Sequence, residues 1–351
     1  MFAIIIVHIL GHGGILNKFR YDKLYLFQHF CNWNVNGFCL ISGIIGYKTH
    51  KYSNLLYLWL WVVFYKVSIH LYYQKYTGYT IPKNKLIHEY LPVIFCQYWY
   101  FTKYFGMYLF LPVINKGIDY LALSELKIAV ISLHCILVIW PEYMDNSFNG
   151  FNIDRGYSIV WFILLYITGG YIGKNIVIYH GIKKFIYCLI CLTTFVSTSL
   201  AYYYYYLPKS IFYNIKGYYL KKIIFFMKIF FTEKLASVPK VFQTISMALF
   251  TIQLNYNKYI AKIITFFGPL TFGIYLIHEN NIIRLKIIRN LYKYIPKDLT
   301  LNELAKIIIM YAFIIFLICS IIDYTRHIIF TIFRVRKICI LLEKIAIKIL
   351  G

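Results

Sequence analysis

Acidic residues are scarce in this sequence, and so is charge of either sign. Asp and Glu number 13 against 37 Lys and Arg, and charged residues make up 14% of the 351. A water-soluble domain carries roughly a quarter charged residues, so a soluble globular fold is excluded first. The place of charge is taken by apolar side chains, at 60% hydrophobic and 21% aromatic. Runs of spanning length recur from end to end, which implies an all-α, polytopic transmembrane helix bundle in the cell membrane. Single-faced basic patches are also missing: the lysines lie between apolar runs, so the formal charge of +24 does not point to nucleic acid. Membrane lipid headgroups or an anionic, phosphate-rich substrate are the expected partners. Compositional drift towards Ile, Lys, Tyr, Phe and Asn is the alternative source of the basic excess.

Other absences narrow the reading further. The eight cysteines lie mostly within apolar runs, and Cys188-x-x-Cys191 has no second pair. A disulfide framework and a zinc ribbon are therefore not expected, and the pair reads as packing. No basic segment precedes the first apolar run, so it is not a signal peptide. That run, residues 1–16, also falls short of the roughly 20 residues that a span needs, and the reading expects a true start upstream of Met1.

The apolar runs predict about ten spanning helices, at residues 1–16, 34–47, 55–73, 91–114, 126–140, 157–173, 185–206, 238–254, 263–283 and 304–322. They form a single domain, 1–351, with a bundle over 1–322 and a basic C-terminal tail over 323–351. The connection 207–240 carries an apolar stretch, 223–231, that suits an interfacial or re-entrant helix. Loop-by-loop Lys and Arg counts give no clear orientation. The tail, with Arg326, Arg334, Arg336, Lys337, Lys344 and Lys348, favours a cytoplasmic C-terminus, and the acidic 141–155 loop favours the outside.

Four helices carry polar groups that an apolar setting makes costly. Val7–Gly14 reads V-H-I-L-G-H-G-G. Ionisable groups within a membrane are functional candidates, and His8 and His12, four apart, share one helix face. Gly11, Gly13 and Gly14 leave room beside them for a ligand or a second helix. Hydrogen bonding across the bundle is the plainer reading. A metal is not expected, because no third or fourth ligand lies nearby in sequence. The second helix places Asn36 and Ser42 among small residues, Cys39/Gly43 and Ser42/Gly46, that permit close helix packing. The fourth contains Lys103 within an aromatic belt, either snorkelling or meeting an anion. The ninth ends F-G-I-Y-L-I-H-E-N-N-I-I-R, so that Tyr275, His278 and Glu279 fall on one side. Glu279 is placed to orient His278 or Arg284, and Arg284 to hold a phosphate or carboxylate; a structural ion pair is the alternative. His70, His134 and His180 lack such company.

The ordered series V-H-I-L-G-H-G-G, N-V-N-G-F-C-L-I-S-G, Y-W-Y-F-T-K-Y-F-G-M-Y-L-F-L-P-V-I-N-K, G-Y-S-I-V-W-F-I-L-L-Y-I-T-G-G-Y-I and F-G-I-Y-L-I-H-E-N-N-I-I-R resembles the membrane-bound acyltransferase 3 family. It is most like bacterial members that O-acetylate surface polysaccharides. In that family the first helix carries an arginine and, ten residues on, a histidine taken to be catalytic. His8 matches the histidine, and the arginine position would fall just ahead of Met1. The resemblance implies an acyltransferase that moves an acyl group, expected to be acetyl, from acyl-CoA to a hydroxyl of a cell-envelope polysaccharide or lipid-linked sugar. Acetyl-CoA is then a co-substrate, with no tightly bound cofactor. His8 becomes the general base, His12, Asn36, Ser42, Tyr275, His278 and Glu279 support the site, and Arg284 and Lys103 meet the CoA phosphates. The competing readings are a transporter or flippase of an anionic lipid-linked sugar and an inactive, truncated relative.

Overall fold

A computed structural model of the chain describes residues 1–19, 22–48, 50–78, 86–143, 151, 153–206 and 234–350. Among them the secondary structure is helical, with no strand. In chain order the helices are α1 (Phe2–Gly11), α2 (Ile15–Lys18), α3 (Asp22–Asn32), α4 (Asn34–Gly46), α5 (Tyr52–Thr77), α6 (Leu86–Tyr90), α7 (Trp99–Tyr120), α8 (Leu123–His134) and α9 (Trp140–Tyr143). They continue as α10 (Ile159–Lys174), α11 (Gly181–Tyr206), α12 (Val238–Gln253), α13 (Lys258–Phe267), α14 (Thr271–His278), α15 (Asn281–Lys286), α16 (Leu301–Ile332) and α17 (Val335–Leu350).

Four helical stretches are long and apolar enough to cross a membrane: Tyr52–Thr77, Gly181–Ala201, Lys258–His278 and Leu301–Ile332. Ten spans are therefore not matched by ten helices of spanning length among the described residues. Local backbone chemistry cuts several apolar runs. The first ends at Gly11, and Gly14 takes a left-handed φ of 72° before α2 resumes. The fourth begins only at Trp99, after turns that include Cys96 at a positive φ of 51°. In the ninth, a 3-10 turn at Gly268–Leu270 separates α13 from α14, because Pro269 offers no backbone N–H to the helix. In the fifth, Pro141 lies inside the short α9, which follows a π-helical turn at Cys135–Ile139, so it does not end the helix. The apolar 223–231 stretch and most of the acidic 141–155 loop lie outside the described residues.

Two further differences concern α3 and the C-terminus. α3 forms from a mixed sequence, D-K-L-Y-L-F-Q-H-F-C-N, too polar to register as an apolar run. The segment 323–351 is not a tail: α16 continues to Ile332 and α17 follows it. Thr300 starts α16 with a reciprocal cap, its Oγ1 accepting from the Glu303 amide at 3.4 Å while Glu303 accepts from the Thr300 amide at 2.8 Å.

The chain divides into two compact units. One comprises Met1–Phe19, Lys51–Tyr108 and Tyr256–Gly351. Its helices α5, α14 and α16 meet around Asp323, which is fully buried. Asp323 Oδ1 accepts hydrogen bonds from Tyr65 (2.7 Å), Arg326 Nε (3.0 Å) and Trp61 Nε1 (3.1 Å), and Oδ2 accepts from Arg326 Nη2 at 2.9 Å. The Arg326 guanidinium lies 3.7 Å from the Trp61 ring centroid, adding cation–π attraction in a dry setting. Gly273 of α14 faces this carboxylate so closely that a Cβ there would collide with it. A buried pair that loses one partner costs about 3–5 kcal/mol, whereas replacement of both by apolar groups is often neutral. Asp323→Ala is therefore expected to lower the thermal midpoint of the detergent-solubilised protein sharply, and addition of Arg326→Met to recover part of the loss. Equal losses in both variants would show that the charge pairing is immaterial.

The other unit comprises Arg20–His50 and Leu109–Asn255. Here α4 and α10 pack backbone against backbone: a Cβ on Gly43 would strike the Tyr166 carbonyl, and one on Gly169 the Leu40 carbonyl. The small residues expected to allow close approach in the second helix do so, with α10 glycines as their counterpart. Lys174 ends this unit's α10 by donating to the carbonyls of Leu121, Asp119 and Ile118 at 2.7, 2.8 and 2.9 Å. Gly169→Val is expected to abolish the monodisperse peak in size exclusion. Gly117→Ala, where a Cβ meets open space, should keep it; equal behaviour of the two would refute the close-packing account.

Candidate functional site

The first unit gathers the ionisable residues of α1 and of the α14–α15 corner. His8 lies on the last turn of α1 and His12 caps its end. Gly13 follows because a Cβ there would overlap the Ile9 carbonyl. From the other side, α14 ends at His278, Glu279 occupies its cap, and Asn280 starts α15 by accepting from the Ile282 amide at 3.0 Å. Tyr98 fixes this corner, donating to the Leu276 carbonyl at 3.0 Å and accepting from Asn280 Nδ2 at 3.0 Å.

At the centre, His8 Nδ1 stands 2.9 Å from His278 Nε2 and 3.0 Å from Glu279 Oε1. His278 Nδ1 is 2.6 Å from the Ile274 carbonyl. A carbonyl only accepts, so His278 carries its proton on Nδ1 and presents a bare Nε2. His8 Nδ1–H then donates to His278 Nε2, with Glu279 Oε1 beside the same nitrogen. In its neutral form, His8 is left with an unprotonated Nε2. The other Glu279 oxygen, Oε2, faces Arg284 Nη1 at 3.3 Å, and Arg284 Nη2 donates to Asn281 Oδ1 at 2.9 Å. His12 Nε2 is 3.8 Å from Glu279 Oε1.

A cavity of about 400 Å³ opens beside Glu279, between the Phe95–Trp99 segment, Tyr275, Asn281 and Arg284. Its lining mixes aromatic and polar groups. Glu279 belongs both to this lining and to the His8 cluster. His8 keeps 15% side-chain exposure and His12 45%.

The structure thus brings together His8, His12, Tyr275, His278, Glu279 and Arg284, which the sequence singles out. Lys103 is half-buried on α7 and does not line the cavity. Asn36 and Ser42 belong to the other unit. Asn36 donates to the Leu235 carbonyl at 2.8 Å and accepts from Trp161 Nε1 at 3.1 Å, and Ser42 bonds back to the Phe38 carbonyl at 2.8 Å. Their polar groups meet partners within that unit. Sequence reasoning missed Tyr98, read only as part of an aromatic belt, and the Phe95–Gln97 turn; no local signal marks either. It also found no third ligand-type group near His8 and His12, yet Glu279 arrives from a distant segment, with one donor atom of each of the three within 4.8 Å of the others. Comparison with protein-family models, with curated proteins and with solved structures found no match for this chain.

The hydrogen-bond chain fixes tautomers, which nitrogen spectroscopy reads directly. With 15N-labelled imidazoles at neutral pH, His8 and His278 are both expected in the Nδ1–H form. Replacement of Glu279 by Gln should alter the His8 signal most. An Nε2–H form for His278 would contradict the arrangement.

Proposed function

We propose that this chain is an integral-membrane O-acyltransferase of the membrane-bound acyltransferase 3 type, transferring acetyl from acetyl-CoA to a hydroxyl of a cell-envelope polysaccharide or lipid-linked sugar. The observation that carries the reading is His8 Nδ1 held between His278 Nε2 and Glu279 Oε1. It leaves Nε2 of a partly exposed imidazole as the unprotonated nitrogen, and Glu279 links this cluster to a cavity lined by aromatic and polar groups.

In the proposed step, His8 Nε2 takes the proton of the acceptor hydroxyl as its oxygen bonds to the thioester carbonyl carbon. The C–S bond then breaks, and the departing CoA sulfur recovers the proton from His8. A histidine suits both directions because its ordinary pKa lies near working pH. Glu279 stabilises the transient imidazolium through Nδ1, in the manner of a carboxylate behind a catalytic histidine. Arg284 steadies Glu279 and turns its remaining donors towards an anionic group, such as a CoA phosphate; Lys103 is the weaker candidate for that role. Tyr275 and His12 shape the approach. The same reading places the chain in the cell membrane as a multi-pass protein of about ten crossings, several on helices shorter than a full span, with the C-terminus in the cytoplasm.

Purified protein in lipid vesicles is expected to release CoA from acetyl-CoA only when an acceptor glycan is added. His8→Ala should lower the rate by about 10²–10⁴-fold, the usual worth of a general base, and Glu279→Gln by a smaller factor. Substrate movement across the vesicles without CoA release would instead mark a carrier, and unchanged transfer by His8→Ala would remove His8 from the mechanism.

A further inference from the structure

We propose that His8, His12 and Glu279 also form a binding site for a divalent transition metal of the zinc type, and that occupancy switches the site off. The second half of this inference rests on the general-base reading above; the first half does not.

The donor set is that of a zinc centre: two imidazoles four residues apart on one helix face, and a carboxylate from a second segment. His8 Nδ1 lies 3.0 Å and His12 Nε2 3.8 Å from Glu279 Oε1, and one donor atom of each residue lies within 4.8 Å of the others. Metal–ligand bonds of about 2.0–2.2 Å bring such donors to roughly 3.3–3.5 Å of one another in a tetrahedral site, so closure needs only side-chain adjustment. His12, nearly half exposed at the end of α1, is the group free to make it. His278, whose Nε2 accepts from His8 Nδ1 at 2.9 Å, lies outside this trio. Glu279 is 4% exposed, which sets the trio apart from the solvated acidic clusters that bind nothing. The half-exposed His12 leaves the trio accessible from outside.

Coordination and base catalysis exclude each other at His8. A metal on Nδ1 takes the lone pair of that nitrogen, so the single proton of the neutral ring must sit on Nε2. No proton is gained or lost, and Glu279 binds in its ionised form. The nitrogen that would receive the acceptor's proton is then already protonated, and transfer stops until the metal leaves.

Co2+ is the probe, added to full-length protein in detergent. We expect one Co2+ per chain with the visible bands of a tetrahedral N/O site, displaced by Zn2+. His12→Gln and Glu279→Gln should each weaken binding at least about 10-fold, whereas His180→Ala and the Cys188→Ser/Cys191→Ser pair should leave it unchanged. Should the site variants fail to fold, labelled wild-type protein decides: Zn2+ should move His8 from the Nδ1–H to the Nε2–H form. Absence of stoichiometric binding to wild type, or bands that survive in both site variants, would overturn the metal site. Zn2+ should also halt CoA release reversibly, with recovery on chelation. Binding without inhibition would overturn the switch alone, and binding to a protein with no transfer activity would leave the metal site standing while the acyltransferase reading fell.

Discussion

One nitrogen, Nδ1 of His8, is shared between an imidazole and a carboxylate that lie some 270 residues further along the chain. Each group in this contact is costly to bury alone, and their close approach offsets part of that cost. Around that contact the first unit is arranged for precision. α14 must end where His278 and Glu279 can reach α1, and two separate devices fix it there. Tyr98 ties the Leu276 carbonyl and Asn280 on one side. Gly273, pressed against the buried Asp323–Arg326 pair, sets the approach of α14 to α16 on the other. A looser corner would leave the histidines present but misaligned, and sites of this kind tolerate little misplacement.

The same packing logic governs the second unit with different means. The contact of α4 on α10 is made by glycines that allow backbones to meet, and the unit's polar groups serve as ties between segments. Asn36 bridges Trp161 and Leu235, and Gln243 reaches the His29 carbonyl and Ser199. In an apolar setting such bonds matter because water is not there to replace them.

Much of this was legible in the amino-acid order. The apolar runs give the helical class, and the costly residues within them, His8, His12, His278 and Glu279, mark the cluster. What escaped has physical reasons. α3 is amphipathic in a mixed, polar sequence, so hydropathy alone does not raise it above a loop. The break between α13 and α14 follows from Gly268–Pro269 inside a run that otherwise reads as one helix. Asp323 and Arg326 fall in a segment that reads as a basic tail, although opposite charges three apart at the end of an apolar run are a signal of a buried pair. The pairing of His8 with Glu279 rather than of Glu279 with its neighbour His278 is a tertiary fact, and helix spacing does not contain it.

The central claim is that His8 and Glu279 act on each other directly, and a double-mutant cycle measures this. The unfolding free energies of wild type, His8→Ala, Glu279→Gln and the double variant, in mixed micelles, give the coupling. Direct contact predicts about 0.5–3 kcal/mol, falling as His8 loses its partner. Strict additivity of the two single losses would contradict the account.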